Sequence, residues 1–316
     1  MKQVAQISPV AALPEQGMAF APARSMSVVL SDLFALTKPR ITLLVMITAA
    51  GSCYVGEVHP LGLLFLLQVA IGTGLLSAGT AALNQRWEYK TDILMRRTSV
   101  RPLPMGRLQP YEATGFGLLL VAIGAAFLAL GVNLLSACMG LLTTGLYLLA
   151  YTPLKRRSPI STLVGAFPGA GPILMGWAAA RNHLDAGAWI LFGIQFLWQF
   201  PHFLAIAWLY REEYDRAGIC MLPVVDPAGH ETSRQILFYS LALLPVSLLP
   251  SLIGITGALY FFGALVLGLA MVWYGWKSAQ NLTRETCRKL LHVSIIYLPL
   301  LFILMGVDHG LTGWLR

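Results

Sequence analysis

The sequence predicts an all-α polytopic membrane protein of about nine transmembrane helices. Three observations predict it. Of 316 residues, 57% are hydrophobic and only 11% charged, and the mean hydropathy is +0.69. A soluble domain carries roughly 25% charged residues, so a surface this poor in charge cannot face water over its whole area. Nine apolar stretches approach the length that crosses a bilayer, about 20 residues. The lysines and arginines fall into alternate connections between those stretches, as topology requires.

Residues 1–24 are rich in alanine, proline and polar residues and lack the basic–apolar–small pattern of a secretory signal. A disordered cytoplasmic tail is expected there, followed by one transmembrane domain over 25–316. Residues 25–37, SMSVVLSDLFALT, are too short to span and are interrupted by Asp32. They predict an interfacial helix leading into the first span. The nine spans are placed at 41–56, 61–83, 112–131, 133–151, 162–180, 187–210, 235–253, 256–275 and 292–310. The first is short and follows a proline turn. No soluble domain fits between them.

With the N-terminus in the cytoplasm, every lysine and arginine of the 22 except Arg181 and Arg316 lies on the cytoplasmic side. The C-terminus is then external. The net charge of +8 therefore reads as membrane topology, and its position between apolar runs argues against nucleic-acid binding. Cys53, Cys138, Cys220 and Cys287 form no CxxC and no Cys/His cluster, so neither a disulfide framework nor structural zinc is expected.

The acids gather on the same side. In LNQRWEYKTDILMRRTSVRPLPMGRL, Asn84, Glu88 and Asp92 are spaced i, i+4, i+8. On a helix they drift about 40° per step and form one stripe about 12 Å long. Such a stripe of oxygens suits Mg²⁺, which prefers hard ligands and shares its shell with substrate phosphates. Arg96, Arg97 and Arg101 follow at once, and arginine forks match phosphate oxygens. The bland alternative is a solvated helix end with ion pairs such as Asp92 with Arg96. A second cluster, Glu212, Glu213 and Asp215, ends the sixth span with Tyr210 beside it. Two like-charged clusters brought together would repel unless cations lay between them.

The sixth span also holds Gln195, Gln199 and His202 on one helical face, and Glu213 would join them if that helix ran on. These groups either bond to neighbouring helices or line a cavity. His202, flanked by Trp198, Phe200 and Phe203, is the stronger candidate for substrate contact. After the fourth span, Tyr151, Lys155 and Arg156 either anchor the membrane surface or close over a phosphate. The small residues of GAFPGAGPILMGW allow close helix approach.

At these segments the sequence resembles the UbiA superfamily of intramembrane prenyltransferases, and within it the protohaem IX farnesyltransferase branch. The matching segments are LTKPRITLLVMITAAG (36–51), NQRWEYKTDILMRRTSVRPLPMGRL (84–108), AYTPLKRRSP (150–159), GAGPILMGW (169–177), QFPHFLAIAWLYREEYDRAGICMLPVV (199–225) and IIYLPLLFILMGVD (295–308). The second and fifth are the specific ones. The resemblance implies helices around a central cavity and Mg²⁺ held, with farnesyl diphosphate, by Asn84, Glu88 and Asp92 together with Glu212 and Glu213. It implies catalytic roles for Glu88, Asp92, Glu212 and Glu213. Substrate contacts are expected from Asn84, Arg96, Arg97, Arg101, Tyr151, Lys155, Arg156, His202, Tyr210 and Asp215. It also implies transfer of the farnesyl group to a vinyl group of haem B with addition of water, in a bacterial inner membrane. The product would pass to a haem A synthase or to terminal oxidase assembly. YREEYD departs from the regular D-x-x-x-D spacing of other branches. A relative with an aromatic acceptor is the nearest rival. A transporter would show paired charges within spans or internal repeats, and the sequence has neither.

Overall fold

In a computed structural model the chain is described over residues 25–57 and 62–314. The expected tail at 1–24 lies outside the described residues. Helix α1 (Met26–Leu36) is 11 residues long, about 16 Å and too short to cross a bilayer. It meets α2 (Pro39–Val55) at a bend of 49°, turned by Lys38 in the left-handed region at φ 48. Met26, Leu30 and Phe34 stand exposed on one side of α1, while Asp32 and Leu36 are buried on the other. That asymmetry is the pattern of a helix lying along the membrane surface.

Eight further helices follow in the main bundle: α3 (Leu63–Asp92), α4 (Pro110–Gly131), α5 (Leu134–Leu154), α6 (Ser161–Arg181) and α7 (Ala186–Leu209) come first. The short helices α8 (Arg211–Arg216) and α9 (Leu222–Val225) form the next connection. The long helices α10 (His230–Leu252), α11 (Ala258–Gln280) and α12 (Arg284–Trp314) complete the bundle. Among the described residues, eight helices are long and apolar enough to cross a membrane, and nine if α1 and α2 count as one bent span. The expected all-α, polytopic architecture is therefore the one observed.

Neighbours in sequence are neighbours in space from α2 through α7 and from α10 through α12, and α12 returns to pack on α7 and α2. The bundle thus closes on itself. α6 is the inner member: 67% of its apolar window is buried, against 22% for α4. Its small residues explain the position. A Cβ on Gly176 would come within 2.0 Å of the Ala49 carbonyl oxygen of α2, so only glycine permits that approach. The outer helices expose leucine, valine and phenylalanine, such as Leu118, Leu119, Phe262 and Val266, as lipid-facing surfaces do.

Two helices differ from their apolar stretches in ways that build the site. α3 has 30 residues, about 45 Å against a hydrocarbon core of about 30 Å, so its last turns pass beyond the apolar segment expected at 61–83. α5 contains a π-helical turn at Leu146–Tyr151, a feature the apolar pattern does not announce. One expectation needs correction: α7 does not run on to Glu213. It stops at Leu209, where Tyr210 breaks the helix at φ −112, ψ 18, and α8 begins at Arg211.

The connections 93–109, 155–160 and 210–229 lie at one end of the bundle and are longer than the described links 132–133, 182–185 and 253–257 at the other. The chemistry gathers at the first end. At the opposite end Asp308 caps α11 by accepting from the backbone N–H of Gly257 and of Tyr260. All four cysteines are free thiols.

Candidate active site

The last two turns of α3 place Asn84, Glu88 and Asp92 along one side, as the spacing predicts. Each is met by a cation from a different part of the chain. Lys38 Nζ donates to Asn84 Oδ1 at 3.2 Å. Lys155 Nζ donates to Glu88 Oε1 at 2.9 Å. Arg101 Nη1 donates to Asp92 Oδ2 at 2.8 Å. Asn84 and Asp92 are each only 1% exposed, so these polar groups need such partners. The bland pairing of Asp92 with Arg96 is not found. Arg96 is exposed, and its carbonyl accepts from Ser99.

Local structure fixes these partners. Below the helix end, Thr98 Oγ1 donates to the Asp92 carbonyl at 2.8 Å, which folds the chain back and returns Arg101 to the carboxylate. The π turn of α5 brings Thr152 to the stripe: its hydroxyl donates to the Tyr147 carbonyl at 2.8 Å and accepts from Asn84 Nδ2 at 3.1 Å. Tyr151 lies against Lys155, whose Nζ stands 4.4 Å from the ring centroid. Burial alone would lower the Lys155 pKa, but Tyr151 and Glu88 beside it raise it well above the ordinary lysine value. Lys155 is therefore charged at neutral pH.

Lys38 was not singled out from sequence. Its amine is pushed down to about 8, first by burial and then by the positive charge of Arg101, against the pull of Glu88. The signal that could have found it is a basic residue at the proline turn directly before a span, on the side where the acids collect.

The second acidic segment approaches over this end. Met95, just beyond Asp92, packs in one buried cluster with Ala207, Ala217, Ile219 and Met221. The backbone N–H of Cys220 donates to the Lys155 carbonyl at 2.7 Å. Gly218, at φ +65, makes the turn after α8 in a conformation that side chains disfavour. Arg97 reaches across: its guanidinium donates to the Tyr214 hydroxyl at 3.3 Å and lies 5.2 Å from the Tyr210 ring centroid. Glu213 is half-buried, while Glu212 and Asp215 are exposed. A cleft between the layers is lined by Glu88, Asp92, Thr152, Lys155, Arg156 and Ile219, among others. From the second acidic segment only Ile219 lines that cleft; Glu212, Glu213 and Asp215 do not, and neither do Arg96 and Arg97.

His202 lies deeper, in α7. Its Nδ1 is 2.8 Å from Ser294 Oγ of α12, and its ring stacks on Trp198 with centroids 4.6 Å apart. Gln199 takes the bland role: its Nε2 donates to the Ala166 carbonyl at 2.9 Å, tying α7 to α6.

Among the described residues no three histidine, cysteine or acidic side chains are grouped to hold a metal ion by themselves. Mg²⁺ does not require such a cage. It keeps several waters and takes one or two carboxylates plus substrate phosphates. The stripe offers hard oxygens only, and Lys38, Lys155 and Arg101 supply positive charge to the phosphates that would come with the ion. The donor set therefore fits a metal–diphosphate pair better than a metal alone.

The fold is similar to digeranylgeranylglyceryl phosphate synthase, with a TM-score of 0.76 and 18% identity over 90% of this chain and 99% of that one. It is also similar to a UbiA homologue from Archaeoglobus fulgidus solved bound to DMAPP and Mg²⁺, with a TM-score of 0.64 and 14% identity over 87% of this chain and 99% of that one. The sequence pattern of the UbiA prenyltransferase family matches residues 44–303, and the chain belongs to that family. It is 49% identical to the protoheme IX farnesyltransferase of Solibacter usitatus, over 88% of this chain and 98% of that protein. It is 44% identical to the protoheme IX farnesyltransferase of Koribacter versatilis, over 88% and 93%.

Proposed function

We propose that this protein transfers the farnesyl group of farnesyl diphosphate to a vinyl group of haem B, giving haem O and diphosphate. The names of its relatives support the acceptor. The observation that carries the chemistry is the oxygen stripe Asn84–Glu88–Asp92 faced by Lys38, Lys155 and Arg101 at one end of an apolar bundle.

In the reaction the C1–O bond of the farnesyl diphosphate breaks and its electron pair leaves with the diphosphate. Lys38, Lys155 and Arg101 stand where that negative charge grows, and fixed charges at such a place lower the barrier. Mg²⁺, bound with the diphosphate at Asn84, Glu88 and Asp92, would neutralise the leaving group further. Glu212 and Glu213 would add carboxylates from the second acidic segment, with Asp215 close by in sequence. Arg96, Arg97 and Arg156 extend the positive rim, and Tyr210 and Tyr151 hold Arg97 and Lys155 in place. The vinyl π electrons of haem B form the new C–C bond to the allylic cation. The cation left beside the macrocycle takes the oxygen of water, which loses a proton, completing a hydroxyethylfarnesyl group. The apolar bundle keeps water from the allylic cation until the C–C bond has formed.

The same reading places the site on the cytoplasmic side of a bacterial inner membrane, with the N-terminus inside and the C-terminus outside. A haem A synthase or the assembly of a terminal oxidase would consume the product. The test supplies purified protein with farnesyl diphosphate and either haem B or an aromatic acid such as a hydroxybenzoate, with and without Mg²⁺. The expected outcome is a product of haem O mass only with haem B and Mg²⁺. Prenylation of the aromatic acid instead, or no prenyl transfer under any condition, overturns the proposal.

A further inference from the structure

His202 is held through one of its two ring nitrogens, Nδ1. Ser294 Oγ donates its only proton to the Leu291 carbonyl at 2.8 Å. The same oxygen lies 2.8 Å from His202 Nδ1; with the hydroxyl proton on the Leu291 carbonyl, Nδ1 is the nitrogen that carries the hydrogen and donates it. Nε2 then presents a lone pair. The frame is rigid on a second side. Trp198 Nε1 donates to the Ser294 carbonyl at 2.9 Å, and its indole stacks on the imidazole at an interplanar angle of 23°. One turn of α12 therefore holds both rings of α7. His202 as a residue is half-buried, next to the exposed Phe203.

A neutral imidazole whose Nδ1–H is anchored and whose Nε2 is free is the arrangement in which histidine binds a transition metal. His202 precedes Tyr210 by eight residues, about 12 Å along a helix axis, which puts it within the apolar layer, below the diphosphate end. We infer that His202 Nε2 ligates the iron of the tetrapyrrole acceptor, with Ser294 and Trp198 as the residues that orient it. The inference rests on the haem reading above and adds to it. Iron ligation by α7 anchors the macrocycle from within the bundle, so the enzyme selects a metallated tetrapyrrole over a flat aromatic acid by a bond as well as by shape.

The experiment titrates haem B into the purified full-length protein and follows its visible absorption. Wild type is expected to give a histidine-ligated spectrum. His202→Ala should lose that spectrum and weaken haem binding about tenfold or more, with partial rescue by added imidazole. His202→Met should shift the spectrum rather than abolish it, which keeps the test informative if the alanine variant folds poorly. Metal-free protoporphyrin IX should bind wild type and His202→Ala equally. Ser294→Ala should broaden the spectrum and weaken binding by less than the loss of the ring. An unchanged spectrum and affinity in His202→Ala, or a wild-type spectrum without a histidine ligand, overturns the inference. Either result alongside normal haem O formation by wild type leaves the proposed function standing. Absence of haem O formation by wild type is the separate failure of that function.

Discussion

Arg101 holds Asp92 across nine residues of chain, at 2.8 Å, on a carboxylate that is otherwise shut away from water. The turn between them is closed by Thr98 on the Asp92 carbonyl, so the pair is built by the segment rather than by a helix-surface coincidence. Asp92 is thereby the most constrained acid of the site. Asp92→Asn keeps the shape and a hydrogen-bond partner for Arg101 but removes the charge. Haem O formation should fall by about a hundredfold or more, while the purified protein elutes and melts as wild type does. Full activity in that variant would sink the role given to Asp92.

Glu88 and Lys155 form a second pair, with side chains 18% and 16% exposed. Removing either partner strands the other in a poorly solvated place. Glu88→Gln and Lys155→Met should each destabilise by about 1–3 kcal/mol, and the double variant should cost less than the two together. Thermal unfolding in detergent reads the difference. Strict additivity would mean that the two groups do not interact.

Lys38 supplies a pH dependence. Its lowered pKa of about 8 means that the amine is charged below that pH and neutral above it. Attraction for a diphosphate is thus present at neutral pH and lost as pH rises through 8. The KM for farnesyl diphosphate should climb above pH 8 in wild type. Lys38→Arg, whose charge persists, should flatten that rise. A wild-type KM that stays constant to pH 9.5 would contradict the assignment.

Arg97 links the two acidic segments through Tyr210 and Tyr214. Arg97→Ala should raise KM for farnesyl diphosphate by about tenfold and change kcat less, as expected when binding is weakened equally in ground and transition states. Tyr214→Phe removes one hydrogen bond and keeps the ring, so its effect should be smaller. Steady-state kinetics on the two variants distinguish these cases, and equal effects would argue against the bridge.

Much of this site is readable from spacing. Asn84, Glu88 and Asp92 recur every four residues, and the last turns of α3 keep that period because the helix continues past its apolar stretch. The bundle is readable because apolar length and alternating basic connections are direct consequences of a bilayer. Lys38 is not readable in the same way. It lies 46 residues from Asn84, and a residue before proline is expected to be extended, whereas Lys38 takes the left-handed conformation. The break at Tyr210 is likewise hidden: nothing in LYREEY interrupts helical propensity, and the residues beyond it, Ala217 and Ile219, pack with Met95 from a distant part of the chain. The partners of the acids follow from tertiary contacts, which is why Arg101, and not Arg96, is found on Asp92.

The widened turn at Leu146–Tyr151 has a consequence for how this protein can change over time. A π turn amounts to one residue more than a regular helix would use. Deleting a single residue from it would restore ordinary winding and remove the wide turn from which the Thr152 hydroxyl reaches the Tyr147 carbonyl, five residues back, and meets Asn84. Substitutions along α5 can be absorbed one at a time, but its length there cannot drift by one. In lineages that preserve the activity, that stretch should vary in composition while its residue count stays fixed.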